Sequence, residues 1–380
     1  MNRSIYLDNN ATTRIYDEAL EEVVRTSRDL YGNPSSAHSL GEKAKNILEN
    51  CREKIASLLN TLPEEIIFTG CGSESNNLAI KGLADLQPSG KNHIITTLIE
   101  HSSVYNVCQY LETKGFKVTY LKPDKDGIIP PSDFENALTD QTFLASIMYA
   151  NNETGTLQET NKIGSICKKK GIIFHSDAVQ AFGKIPLDLQ ADNIGLLATS
   201  GHKIHGPKGI GFLYKQKNIS LTPLIHGGGQ ENNWRSGTEN IPLIAGFAKA
   251  CEIKFKKMEE ENRKLLELTE SFYRKTKAAL PHAQNNGSLK KRIPNTINIR
   301  FPGTPGPKII SYLSDEGIFA SPSSACSSHE EKPSRILLAM GLMTDEAFSS
   351  IRFSFDSTNN ENDVDVTVSI LKKIVDKLME

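Results

Sequence analysis

The chain predicts an α/β protein built on a mostly parallel sheet, and three observations carry that expectation. Seven short apolar runs, at residues 66–68, 94–97, 118–121, 143–148, 172–174, 196–198 and 211–214, have the length and side chains of buried strands. Amphipathic stretches separate them, the alternation of a sheet with helices on its faces. The chain has 380 residues, 38% of them hydrophobic, enough for more than one core, so a second, smaller α+β domain is expected.

Taken in order, the first strand leads into Gly70-Cys71-Gly72-Ser73-Glu74-Ser75-Asn76-Asn77 and a helix through Leu78 and Ile80. Such a turn presents free amides and the positive end of a helix dipole to an anion, although an ordinary capped helix start has the same pattern. Residues 171–174 read as a short buried strand followed by Phe174-His175-Ser176-Asp177-Ala178-Val179-Gln180. A carboxylate there can hold a pyridine nitrogen protonated; the alternative is a helix cap. The apolar run 194–198 precedes Ser200-Gly201-His202-Lys203-Ile204-His205-Gly206-Pro207, which places Lys203 in a Gly-rich turn at the mouth of the sheet. Burial there disfavours the ammonium form, as a lysine needs if it is to form a Schiff base with an aldehyde cofactor. The competing interpretation is a solvated loop lysine. Apolar residues then recur at three and four from Ile244 through Phe247, Cys251, Phe255 and Met258 to Leu265 and Phe272, predicting a long helix that carries the chain into the second domain. There, residues 296–301 and 351–355 read as strands, and Val364, Val368, Leu371, Val375 and Leu378 stripe a final helix.

Composition narrows the class. A net charge of −1 leaves no electrostatic footprint for nucleic acid, and Lys290-Lys291-Arg292 reads as a solvated loop. Residues 1–10 lack the apolar core of a signal peptide, and no apolar stretch is long enough to span a bilayer. The six cysteines, Cys51, Cys71, Cys108, Cys167, Cys251 and Cys326, form no C-x-x-C pair. That disfavours a metal site or a disulfide framework and fits a reducing cytoplasm.

Eight landmarks stand in order along the chain: Tyr6-Leu7-Asp8-Asn9-Asn10-Ala11-Thr12-Thr13, Gly32-Asn33-Pro34-Ser35-Ser36, Glu100-His101, Asn151-Asn152-Glu153-Thr154-Gly155, Ser200-Gly201-His202-Lys203, His226-Gly227-Gly228-Gly229, Arg235-Ser236-Gly237-Thr238 and Ser324-Ala325-Cys326. On these residues the chain resembles the NifS/IscS-type cysteine desulfurases of the class V aminotransferase family. The resemblance implies the type I fold of pyridoxal 5'-phosphate enzymes, like that of aspartate aminotransferase. A large cofactor-binding domain is expected over 15–255, with 1–14 and 256–380 forming the small domain. It further implies Lys203 as the Schiff-base lysine and Asp177 at the ring nitrogen. His101 is set over the ring, Asn152 and Gln180 beside its hydroxyl, and Ser73, Ser200, His202 and Thr238 on the phosphate. Thr238 would come from the other subunit of a homodimer. Arg352, with Asn33, would grip the α-carboxylate of L-cysteine.

A desulfurase also needs a thiol that reaches the substrate sulfur. Cys326 lies among serines rather than apolar residues, in a stretch from Ala320 to His329 without helical or strand period, which predicts a mobile loop and a reactive thiol. The setting resembles the long-loop type, which passes sulfur directly to an acceptor protein. The implied chemistry has Lys203 move the α-proton, His101 handle protons and Cys326 take the sulfur as a persulfide, leaving alanine. Three departures from the family stand out. Pro322 and Ser323 replace a more flexible hinge, no second arginine follows Arg352 in Phe355-Asp356-Ser357, and the chain stops in its last helix at Glu380. A lyase or aminotransferase that does not need Cys326, or a non-catalytic docking subunit, are the alternatives. The acceptor is open between iron-sulfur clusters, tRNA thiolation, thiamine and DNA sulfur modification.

Overall fold

The computed structural model describes residues 4–86, 90–322 and 332–380. Its large sheet has seven strands in the order Ile66–Thr69, Gly211–Lys215, Leu196–Ala198, Ile173–Asp177, Thr142–Ser146, His93–Thr97 and Lys117–Leu121. Gly211–Lys215 is antiparallel to both neighbours, and every other pairing is parallel. All seven runs expected from the sequence are therefore in one sheet. Successive side chains feed opposite faces. Ile66, Ile95, Leu197 and Phe212 join one core with Phe247 and Cys251. Ile67, Ile94, Leu196 and Leu213 join another with Leu78, Ile80 and Val104. Helices on both faces explain why these strands read as continuous apolar runs.

The expected long helix is Ile241–Ala279, 39 residues, or roughly 58 Å at the helical rise. Ile244, Phe247 and Cys251 pack in the large-sheet core. Leu265, Leu268 and Phe272 pack in a further core with Ile297, Ile299, Ile351 and Phe353. That second core lies against an antiparallel sheet ordered Ser321–Pro322, Ser350–Ser354, Thr296–Arg300 and Gln284–Asn286 and the final helix Glu361–Met379. Ile336, Leu337 and Met340, although late in the chain, belong to the large-sheet core.

One element differs from expectation. Ser321–Pro322, read from sequence as loop, is an edge strand in which Ser321 faces Arg352 and Pro322 faces Ile351. An edge position suits a residue without an N–H. The N-terminal segment also has a structural role that no local pattern announces. Ile5–Tyr6 pairs with Ile318–Phe319, Asp8 bridges Ser354, and the Thr13 amide then donates to the His202 carbonyl at 3.0 Å. The start of the chain thus reaches from the small sheet to the Lys203 turn.

Candidate active site

The strand ends converge as an α/β sheet requires, with binding groups beyond the carboxyl edge. Asp177 ends its strand opposite Ala198 of the next, and Lys203 closes the Gly201–Lys203 turn just after that strand. The helix Gly72–Leu86 starts against both. A Cβ at Gly72 would lie 2.6 Å from Val179 Cγ2, and one at Gly211 would lie 2.5 Å from the Thr199 carbonyl oxygen. Glycine at these two positions therefore lets the three segments meet. The result is a cavity of about 340 Å³ lined by Ser73, His101, Asn152, Asp177, Gln180, Ser200, His202, Lys203 and Arg352. Nine residues singled out from sequence positions 73 to 352 share one space.

Their contacts define distinct chemistries. Asp177 is buried; its Oδ2 accepts from Asn76 Nδ2 at 2.7 Å and its Oδ1 from the Val179 amide at 3.0 Å. Lys203 Nζ donates to the main-chain oxygens of Asn10 and Ala11, each at 2.6 Å. His101 caps the helix Ser102–Glu112, and its Nδ1 lies 2.8 Å from Ser103 Oγ. His202 Nδ1 lies 3.1 Å from Thr12 Oγ1. Burial, with the nearby charges of Lys203, Lys208 and Lys184, lowers the His202 pKa to about 4, so its ring is neutral at physiological pH. Gly72 and Ser73, in the first turn of their helix, line the cavity, and the amides of a first helical turn have no intrahelical partner. Arg352 donates to Asp8 Oδ1 at 2.7 Å and to the Asn152 carbonyl at 3.0 Å, while its buried Nε has no partner among the described residues.

Two residues expected at the site stand apart from this cavity. Asn33 is exposed, with its Oδ1 accepting from the Ser35 amide. Thr238 is exposed and lines a separate hollow with Arg235 and Gly237. Cys326 and Ser323 lie outside the described residues. Where a second arginine was missed, Asp356 Oδ1 meets His205 Nε2 at 3.1 Å. Burial pushes the Asp356 carboxyl up, but the His205 hydrogen bond and charge outweigh it, leaving a net lowering. Of the described cysteines, Cys71 is exposed and lines the cavity. Cys51, Cys108, Cys167 and Cys251 are buried, and burial pushes the first three thiols up to about 12.

Sequence reasoning gave no role to several polar groups in and around the cavity wall. Asn10 and Asn76 hold Lys203 and Asp177 from over 100 positions away. Glu100 is fully buried; Oε1 accepts from Thr97 Oγ1 and the Met148 amide, and Oε2 has no partner among the described residues. Burial raises its pKa to about 8 from the ordinary 4.5, outweighing those two donors. The folded state thus holds a proton that the unfolded state has released, so stability falls as pH rises from about 4.5 to about 8. Glu100→Gln removes this dependence: its melting temperature should exceed that of the parent at pH 9 and match it at pH 5. Equal melting temperatures at both pH values would refute the protonated carboxyl.

The chain belongs to the class-V aminotransferase family, whose model matches residues 5–366. Among its relatives, a cysteine desulfurase, IscS, of Clostridium botulinum (strain Hall) is 43% identical over 382 residues, covering 100% of this chain and 96% of the relative. A cysteine desulfurase of Nostoc sp. is 44% identical, covering 98% and 93%. In three dimensions, a NifS-like protein matches with a TM-score of 0.93 at 39% identity, over 99% of this chain and 100% of the other. SspA in complex with cysteine matches at 0.81 and 38%, over 94% and 100%. The chain is a pyridoxal phosphate enzyme, and its own residues fit that group. Asn152 Oδ1 is buried without a partner among the described residues, a helix N-terminus borders the cavity, and a carboxylate and a lysine stand at or just beyond adjacent strand ends.

Proposed function

We infer that the Lys203 cavity carries out cysteine desulfuration, taking sulfur from L-cysteine to give L-alanine and a persulfide on Cys326. The carrying observation is the meeting of Lys203, Asp177 and Arg352 in one cavity of a chain whose relatives bear the name cysteine desulfurase. Bound pyridoxal phosphate supplies an electron sink for the carbon next to its imine. Asp177, fixed by Asn76 and Val179, would keep the ring nitrogen protonated. Ser73, Ser200, His202 and the helix amides would hold the phosphate. Arg352, which lines the cavity, would hold the α-carboxylate, and Asp8 anchors its guanidinium. Lys203 would move the α-proton and His101, held by Ser103, would relay protons. The division would be a large domain, 15–255, and a small one from 1–14 and 256–380, with Ile336, Leu337 and Met340 of the latter stretch packed into the large-sheet core. Thr238 and Asn33, both exposed, fit contact with a second subunit and favour a homodimer, and an acceptor protein would take the sulfur.

Thiol substitution tests the reading. Cys326→Ser should keep the cofactor and bind cysteine, yet lose persulfide formation and most alanine production in a single turnover. Cys71→Ser should spare both, because Cys71 sits at the helix start where phosphate would neutralise the dipole that activates a thiol. The opposite pattern would overturn the assignment, and a Cys326→Ser protein of full activity would favour a lyase or aminotransferase. Within the same assay, Ser323→Gly should speed sulfur transfer without changing cysteine binding if Pro322 and Ser323 stiffen the hinge.

A further inference from the structure

Behind the cavity, and not lining it, lies Lys184, with 5% of its surface exposed. It borders a void of about 20 Å³ shared with Lys203, His205, Lys254 and Asp356. The charged groups around it are Lys203, Lys254 and Arg352, with Asp356 as the carboxylate; Lys254 is itself paired with Glu261 at 2.5 Å. Burial and these three cations hold the Lys184 pKa well below its usual value. A lysine in such a place costs stability, and methionine would fill the volume without that penalty. Its position therefore calls for a role beyond packing.

Donor and acceptor accounting identifies that role. Lys184 Nζ donates to Gln180 Oε1 at 2.7 Å and to Asn10 Oδ1 at 3.0 Å. Gln180 and Lys184 are four apart in a run of consecutive turns, so both project from one face. The other end of the Gln180 amide donates from Nε2 to the Asn10 main-chain oxygen at 3.0 Å. That oxygen also receives Lys203 Nζ. Asn10 is in turn fixed, because Nδ2 donates to Thr296 Oγ1 and the Asn152 carbonyl while Oδ1 accepts from Lys184 and Asn295. Lys184 Nζ, donating to Gln180 Oε1 and Asn10 Oδ1, and the Asn10 main-chain oxygen, which accepts from Nε2, thus grip the Gln180 amide at both ends. The amide cannot flip, and its second Nε2 hydrogen stays available to the cavity that Gln180 lines.

We propose that Lys184 is a positioning residue: it locks Gln180 as a donor toward the ring oxygen of the cofactor and fixes the Asn10 carbonyl on which Lys203 rests. This rests on the placement of Gln180 beside the ring hydroxyl. Loss of the lock removes a hydrogen bond to a charged oxygen, so the pH midpoint of the holoenzyme's visible band should rise in Lys184→Met by about one unit. Thermal stability should hold or improve.

The test titrates that band in Lys184→Met, Gln180→Ala and the double variant, alongside melting temperatures. Support consists of a raised midpoint in both single variants and no further rise in the double variant, since the two residues then act in series. A raised midpoint in Gln180→Ala with none in Lys184→Met overturns the proposal while leaving Gln180 at the ring. No rise in either overturns the underlying placement as well. If Lys184→Met does not fold, Lys184→Gln carries the same test, because an amide presents an acceptor as well as donors and no longer forbids the flip. Lys184→Arg, which again only donates, should restore the midpoint; a shift equal to that of Lys184→Met would count against the proposal.

Discussion

Lys203→Ala protein is expected to be inactive in cysteine desulfuration, with turnover lower by at least the factor of about 10²–10⁴ that a positioned proton-transfer group contributes. The loss should exceed that range if the same side chain also anchors the cofactor covalently. The purified parent protein should be yellow, and borohydride reduction followed by peptide mapping should place the label on Lys203. Its neighbours offer clear controls. Lys208 is exposed on the far side of the turn's glycines, and Lys184 is buried behind the cavity. Lys203 alone of the three lines the space that holds Asp177 and Arg352. A label on Lys184 or Lys208, or a Lys203→Ala protein that still turns over cysteine, would remove the assignment on which the proposed function stands.

Why so much of this site was legible is a matter of chain distance. The large-sheet strands are buried on both faces, so each announces itself within five residues, and the groups at their ends, Asp177 and Lys203, follow at fixed short offsets. The long helix was legible because its apolar stripe continues from one core into the next. Asn10, Asn76 and Lys184 were not, because what matters about each is a partner far along the chain: Asn76 with Asp177, Lys184 and Lys203 with Asn10. Asparagine in a turn-like segment and lysine after a glycine carry no local pattern that distinguishes a buried hub from a solvated loop. The pairing of Asp356 with His205 is similar. The sequence places Asp356 in an ordinary turn, and only the folded chain shows that it meets a histidine more than 150 positions away.

The covered edge of the large sheet provides the second large effect. Ile66–Thr69 is its terminal strand, and the groups it turns outward are occupied by side chains instead of another strand. Glu231 Oε2 accepts from the Phe68 amide at 2.8 Å, and Arg52 Nη1 donates to the Ile66 carbonyl at 2.6 Å. The two side chains meet as a bidentate pair, with both N–O distances 2.8 Å and both residues buried. The Arg52 guanidinium also lies 4.9 Å from the centre of the Phe68 ring. Glu231 pays conformationally for this role, since it opens three consecutive non-glycine residues at positive φ, Glu231, Asn232 and Asn233 at 48°, 54° and 69°. Asparagine tolerates that region and glutamate does not, so the ion pair holds the strained turn in place. Arg52→Met leaves a carboxylate buried without its cation, and unfolding free energy should drop by about 3–5 kcal/mol. Arg52→Met/Glu231→Leu should recover part of that loss, because no charge is then stranded. The same turn leads to Arg235 and Thr238, and the single variant should also weaken the proposed dimer, measured by sedimentation. Denaturant unfolding of the three proteins decides the matter. An Arg52→Met protein within about 0.5 kcal/mol of the parent, or a double variant worse than the single one, would show that the edge is held by something other than this pair.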